Sequence, residues 1–180
     1  MLSGENYNSR DEELLDLYWR ARKGLQSFQQ ESANPERMQF LREFIPGIHE
    51  TVWIEPPFSC EYGSHISVGR GTYINVHCFL QDCGKIEIGE DVLIGPGVNV
   101  CTASHPLDSH ERIQRTAQGS SYLTSAKPVK IGDRVWIGAN VTILGGVIIG
   151  DDAVIGAGSV VTKDVPAGML AYGVPCRIRN

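Results

Sequence analysis

The sequence contains no apolar run approaching the length of a membrane span, so the expectation is a protein that does not cross a bilayer. It shows no secretory leader either. Met1-Leu2-Ser3-Gly4-Glu5-Asn6-Tyr7 lacks an apolar h-region, and a cytoplasmic location is the matching expectation. Paired cysteines are missing too. Cys60, Cys78, Cys83, Cys101 and Cys176 form an odd, scattered set without a Cys-x-x-Cys spacing, which points to reduced packing cysteines and to no metal site. Nor is positive charge in excess. Sixteen Lys and Arg stand against 21 Asp and Glu, and a net charge of -5 argues against a nucleic-acid partner. Local basic residues can still meet a phosphorylated ligand. No Walker-type phosphate loop is present.

What the sequence does hold in quantity is glycine, 20 residues crowded after position 60, in a chain of 180 residues. That length suits one domain with a small appendage. From Asp11 to about Phe44 the texture is helical, with Leu14, Leu15, Tyr18, Leu25 and Phe28 forming an amphipathic stripe. Asn34-Pro35 interrupts it, a second helix is expected from Pro35 to Phe44, and Pro46-Gly47 ends the segment.

From about Ile54 an aliphatic residue recurs at every sixth position. Val68, Ile74 and Leu80 are followed, after a slip of two residues, by Ile88, Ile94 and Val100. After a long break the series resumes at Ile131, Ile137, Ile143, Ile149, Ile155 and Val161. Glycine follows the aliphatic at Gly69, Gly89, Gly95, Gly132, Gly138, Gly150 and Gly156. Four places after the aliphatic stands a small or β-branched residue, as at Thr72, Val98, Val135, Val141, Ala153 and Ser159. A helix needs a period near 3.6 and a lone amphipathic strand a period of 2. Six residues instead make one short strand and one corner, and three such units close a triangular coil. Stacked coils pair as parallel strands and line the aliphatic residues into an interior column. The fold class expected is mainly β, a parallel β-helix over about 54–165.

The segment from Thr102 to Lys127 breaks the repeat and is polar. A long loop leaving a rigid scaffold is a usual seat of function. His105 stands at its start. An alcohol is a poor nucleophile near neutral pH, and an imidazole at hydrogen-bond range is suited to take its proton. His49, His65, His77 and His110 have no such context and are read as structural or exposed; His77, two residues after Asn75, is the next candidate.

From Ile54 to Arg177 the chain resembles the maltose and galactoside O-acetyltransferases, a branch of the hexapeptide-repeat acyltransferases. The pieces that carry the resemblance are Glu55-Pro56-Pro57-Phe58, Tyr62-Gly63-Ser64, Tyr73-Ile74-Asn75, Ile94-Gly95-Pro96, Ser104-His105-Pro106-Leu107-Asp108 and Val135-Trp136-Ile137-Gly138. Gly156 to Pro166 and Gly173-Val174-Pro175-Cys176-Arg177 continue it, and Gly4-Glu5-Asn6-Tyr7 with the following helices looks like that branch's helical cap. The resemblance implies a left-handed coil, against the usual crossover hand. It implies residues 1–50 as a cap, and residues 51–180 as the solenoid with an extended loop at about 102–128 and a C-terminal tail. It also implies a homotrimer with active sites between neighbouring solenoids. The implied reaction moves acetyl from acetyl-CoA, with no metal, to a hydroxyl of a sugar or similar small acceptor. The alternatives are an amine or natural-product acceptor, or a non-catalytic trimeric scaffold.

The resemblance assigns His105 as general base. For the acceptor it suggests Asn75, with Glu61 and Asp82 nearby, and Asp108, which either positions the loop, touches the acceptor or is a solvent-facing turn residue. For the coenzyme it suggests Gly95, Ala139, Ala157, Thr162, Lys163 and Arg177, the two cations facing phosphates. Trp136 either walls the cleft or supports the trimer as a corner aromatic. The sequence departs from the family where the acceptor is chosen. Cys83 stands where some members have Asp, and Glu61 where some have a small polar residue or Asp. Ser9 or Asp11 falls near a family Asp, and the stretch before Pro128 is longer than usual, with the insertion at Gln114 to Ser125.

Overall fold

The computed structural model describes residues 1–30, 36–117 and 119–179, with Thr116 described by its backbone alone. Its body is a solenoid with three flat faces. The first face stacks Gly47–Ile48, Ile66–Val68, Ile86–Ile88, Val129–Ile131 and Ile148–Ile149. The second stacks Trp53–Ile54, Tyr73–Ile74, Leu93–Ile94, Trp136–Ile137, Val154–Ile155 and Leu170–Tyr172, and Arg177–Arg179 closes it antiparallel. The third stacks Phe58–Cys60, Cys78–Gln81, Asn99–Cys101, Thr142–Leu144 and Val160–Val161.

The sixfold spacing becomes three interior columns. On the first face Ile48, Val68, Ile88, Ile131 and Ile149 pair directly in register. Ile54, Ile74, Ile94, Ile137 and Ile155 do so on the second, and Cys60, Leu80, Val100, Ile143 and Val161 on the third. All are buried, as are the smaller residues Thr72, Val98, Val135, Val141, Ala153 and Ser159. The buried hydroxyls are satisfied: Thr72 Oγ1 donates to Gly89 O at 2.8 Å, and Ser159 Oγ accepts from Gly173 N at 3.0 Å. Coils approach so closely that glycine is required. A Cβ on Gly138 would lie 2.6 Å from Ala157 N. Parallel stacking begins at Gly47–Ile48 and ends at Leu170–Tyr172, beyond the 54–165 span that the period alone indicates.

Corners carry the left-handed backbone. His77, Gly97, Asn140 and Gly158 occupy equivalent turns with φ of 61°, 70°, 55° and 70°. Their amides bond the coil before: Gly97 N to Val76 O, Asn140 N to Pro96 O and Gly158 N to Ala139 O. His77 is thereby a corner residue, its exposed ring on a backbone that Asn and Gly fill in later coils.

Helices α1 (Glu12–Gln30) and α2 (Arg37–Phe44) pack on the lower coils. Ala21, Leu25 and Phe28 of α1 and Met38, Leu41 and Phe44 of α2 join the solenoid core. Arg22 Nη1 donates to Cys60 O at 2.9 Å and Gln29 Nε2 to Phe58 O at 3.1 Å, which docks α1 against the third face. Leu15 departs from the expected buried stripe: it is 38% exposed. The expected start of α2 at Pro35, and the Asn34-Pro35 break, lie outside the described residues.

The break in the repeat is an arm with its own structure rather than a bare loop. Ala103–Ser104 pairs antiparallel with Ser125 and Ala126. Helix α3 (Ser109–Arg112) follows, and Ile113–Thr116 forms a hairpin with Gly119–Ala126. The chain's first strand, Tyr7–Asn8, adds to the same arm strand opposite Thr124 and Leu123. Among the described residues no helix is long and apolar enough to cross a membrane. All five cysteines are free, and four of them are buried.

Candidate active site

The two-residue slip in the repeat has a place in space. It falls at Asp82–Lys85, the corner after the third face, and the structure shows the same longer corner one coil below at Glu61–His65. The arm leaves the same corner one coil above the slip, at Thr102. Thr102 Oγ1 accepts from Gly84 N at 2.8 Å and so ties the arm's root to the coil below. A cleft of about 270 Å³ opens along this corner. Glu61, Tyr62, Gln81, Cys83, Ala103 and His105 form its floor, Thr124 its arm side, and Tyr7, Ser9, Leu14, Leu15 and Tyr18 its wall on the cap.

His105 follows the strand Ala103–Ser104 and is exposed. Its Nδ1 lies 2.9 Å from Leu123 O in the arm strand. A carbonyl oxygen can only accept, so Nδ1 carries the proton, and Nε2 of the neutral ring keeps its lone pair. Thr124 Oγ1 lies 3.5 Å from the same Nδ1 and donates to Tyr122 O at 3.1 Å. The arrangement fixes one ring tautomer, the one with a proton-accepting Nε2.

Glu61 lines the same cleft. Its carboxylate sits 3.6 Å from Arg22 Nη2, and that guanidinium lies 4.4 Å over the Tyr18 ring. Burial raises the Glu61 carboxyl above its ordinary range; Arg22 opposes this and Asp82 adds to it. Cys83 also lines the cleft, but burial pushes its thiol up to about 11, so at neutral pH it is a thiol and not a nucleophile.

Asp82 is a correction. Its side chain is fully buried, where an acceptor has no access. Oδ1 accepts from Glu61 N at 2.9 Å and Tyr62 N at 2.8 Å, and Oδ2 from His65 N at 3.3 Å. The carboxyl builds the corner that presents Glu61. Asp108 takes the loop-positioning alternative: its Oδ1 accepts from His110 N at 2.7 Å as the N-cap of α3, and it is not among the residues lining this cleft.

The remaining sequence-picked residues lie elsewhere. Asn75 is partly buried, its Oδ1 accepting from Val76 N at 2.8 Å, and it is not among the residues lining the His105 cleft. A Cβ at Gly95 would meet Ala139 N at 2.8 Å, so coil packing already accounts for that glycine. Ala139 and Ala157 follow the second face one coil apart, Ala157 exposed. Thr162 is exposed beside Lys163. Lys163 and Arg177 come together, lining a second cleft of about 190 Å³ with Asp164, Val165, Ala171, Cys176 and Ile178. Trp136 is 56% exposed on the outer side of the second face. The residues that sequence reasoning missed are Tyr7, Tyr18, Tyr62, Gln81 and Thr124; the slip in phase was a signal for the corner beside Tyr62 and Gln81, and nothing comparable marked the other three. Among the described residues, no group of three or more His, Cys, Asp or Glu is arranged to hold a metal ion.

Comparison with known proteins agrees with this architecture. Residues 128–163 match the bacterial transferase hexapeptide (six repeats), and residues 1–49 match the maltose acetyltransferase hexapeptide capping motif. The galactoside O-acetyltransferase of Escherichia coli (strain K12) is 41% identical over 143 residues, covering 79% of this chain and 67% of that protein. A maltose O-acetyltransferase from Clostridium difficile 630 superposes with a TM-score of 0.90 at 39% identity, covering 99% of this chain and 92% of that one. A hexapeptide-repeat acetyltransferase from Vibrio cholerae O1 biovar eltor, complexed with acetyl-CoA, superposes with a TM-score of 0.86 at 38% identity, covering 100% and 94%.

Proposed function

This chain belongs to the maltose and galactoside O-acetyltransferase branch of the hexapeptide-repeat acyltransferases, and on that premise we propose that it transfers acetyl from acetyl-CoA to a hydroxyl of a sugar or similar small acceptor, with His105 as general base. The observation that supports the reading most is the Nδ1–H donated to Leu123 O, which leaves Nε2 as the base on the floor of a small cleft. Nε2 takes the acceptor's hydroxyl proton as the oxygen attacks the thioester carbonyl. The tetrahedral oxyanion then collapses, the C–S bond breaks, and the imidazolium returns the proton to the leaving thiolate. Glu61 is suited to accept hydrogen bonds from neighbouring acceptor hydroxyls, while Arg22 keeps its charge balanced. Lys163 and Arg177, together in the second cleft, are suited to meet coenzyme phosphates, and Thr162, Ala139 and Ala157 are the small residues proposed to flank the coenzyme.

The site is completed by neighbouring copies in a homotrimer. Two features support this. Asn75, the residue matching the family's acceptor contact, does not line the His105 cleft of its own chain, which suits it to serve a neighbour's. The second face also carries an outward apolar ladder in direct register, Trp53, Tyr73, Leu93, Trp136, Val154 and Leu170, with Leu93 and Trp136 more than half exposed. That face is suited to burial against another solenoid, the supporting role for Trp136. The test is release of free thiol from acetyl-CoA against a panel of sugars and amines. Turnover with hydroxyl acceptors is expected; amine-only turnover would move the acceptor class, and no turnover with any acceptor would leave a scaffold.

A further inference from the structure

The carbonyl that sets the His105 tautomer belongs to the arm, and the arm strand is held from both sides. On one side lies Ala103–Ser104, which leads directly into His105. On the other lies Tyr7–Asn8, opposite Thr124 and Leu123, the two residues that contact the imidazole. The N-terminal strand thus braces the segment that meets the ring. Its anchor is Tyr7, whose ring packs in a small cluster with Tyr62, Cys83, Ala103 and Ala126. This cluster is distinct from the solenoid core. Tyr62, Cys83 and Ala126 are buried, and Leu14, Leu17 and Tyr18 of α1 pack against them. A small cluster of that kind can open without unfolding the solenoid, so the geometry at His105 is set by a local contact.

We propose that Tyr7 and Asn8 are positioning residues for His105: by pairing with Leu123 and Thr124 they hold the Leu123 carbonyl where it keeps the proton on Nδ1 and the lone pair on Nε2. Neither residue takes part in proton transfer. The inference rests on His105 being the general base. Without the brace the arm strand keeps Ala103–Ser104 opposite Ala126 and Ser125 and the hairpin strand opposite Gly119–Tyr122, but Leu123 and Thr124 lie in the gap between those two ladders and lose their one strand partner. The ring is then free to rotate and to place its proton on either nitrogen.

The test uses the full chain with Tyr7→Ala, which removes the anchor, and separately Asn8→Pro, which removes a strand amide. Kinetics with the best acceptor are combined with nitrogen-15 NMR of labelled histidine, which reports the tautomer. Each variant is expected to lose about tenfold to a hundredfold in kcat, within the range that general-base assistance provides. The KM for acetyl-CoA is expected to stay within about twofold, and the His105 signal to change from the Nδ1–H form to a mixture of tautomers. A loss of folded protein in one variant leaves the other to decide. Wild-type kcat with an unchanged Nδ1–H signal in a folded variant would overturn the proposal, and so would a kcat loss with the tautomer unchanged. If His105→Ala abolishes turnover while both variants keep wild-type kcat, only the positioning role fails. If His105→Ala itself keeps wild-type turnover, the assignment of the base fails.

Discussion

From Gly47 to Thr102 and from Lys127 to Val161, each strand lies parallel to the strand one coil before and sets a buried residue directly over its predecessor. Between those two stretches the strands run antiparallel, and the side chains are mostly polar and exposed. The solenoid takes its stability from continuous interior columns. The arm takes its order from backbone pairing and from a small cluster shared with the N-terminal segment. The difference separates two tasks. Columns of Ile, Val and Leu give a rigid frame with no chemistry of its own, and the polar arm sets an imidazole against that frame at the one corner where the period slips. Substitutions in the two regions should therefore fail in different ways, one in folding and the other in turnover.

The largest loss of stability is expected from Ile143→Ala. The residue is fully buried between Val100 and Val161, and the cavity should cost about 2–5 kcal/mol. Denaturant titration measures it, and kcat per folded molecule should be unchanged. A stability loss below 1 kcal/mol would mean that the columns are not the frame.

Asp82→Asn should come next. The amide nitrogen would face the His65 amide, donor against donor, at a cost of about 1–3 kcal/mol. Its pH dependence has a defined sign. Burial holds the Asp82 carboxyl above its ordinary value of 3.8, so the folded chain takes up a proton there before the unfolded chain does. That contribution to stability grows as pH falls through the raised value and is lost as pH rises through it. The wild type should thus gain on the non-titrating variant as pH is lowered from neutral toward the ordinary carboxylate value. A difference that shrinks on acidification would contradict the assignment.

Smaller again is the effect of Lys163→Ala or Arg177→Ala. Both side chains are exposed, and an exposed phosphate contact is worth a few tenths to one kcal/mol, so the KM for acetyl-CoA should rise about twofold to fivefold. The KM for the acceptor should not move. Unchanged affinity for the coenzyme in calorimetry for both would remove the second cleft from the site.

The frame was legible because Ile131 to Val161 keep one phase without a break, and only a three-sided coil satisfies that spacing. The extra strand at Gly47–Ile48 was not, since a single aliphatic residue beside a helix carries no period. Leu15 shows how a site can pass for core: it belongs to the apolar stripe of α1, yet it is exposed on the wall of the His105 cleft. Asp82 and Asp108 show the converse. A carboxylate that accepts backbone amides has the same letter as one that meets a ligand, and only the hydrogen bonds separate them. Tyr7 was out of reach because its nearness to His105 comes from an antiparallel pairing more than a hundred residues apart in the chain, and Thr124 because its nearness comes from the arm folding back on Ala103–Ser104, which no period marks.

The most direct test of the account is the turnover of His105→Ala with the best acceptor, measured beside acetyl-CoA affinity and thermal stability. Loss of general-base assistance should lower kcat about a hundredfold to ten-thousandfold. Coenzyme affinity and melting should stay near wild type, because the ring is exposed and outside both core clusters. Residual rate above background is expected from positioning alone. A folded variant that turns over at the wild-type rate would contradict the account, and His77 would be the next residue to substitute.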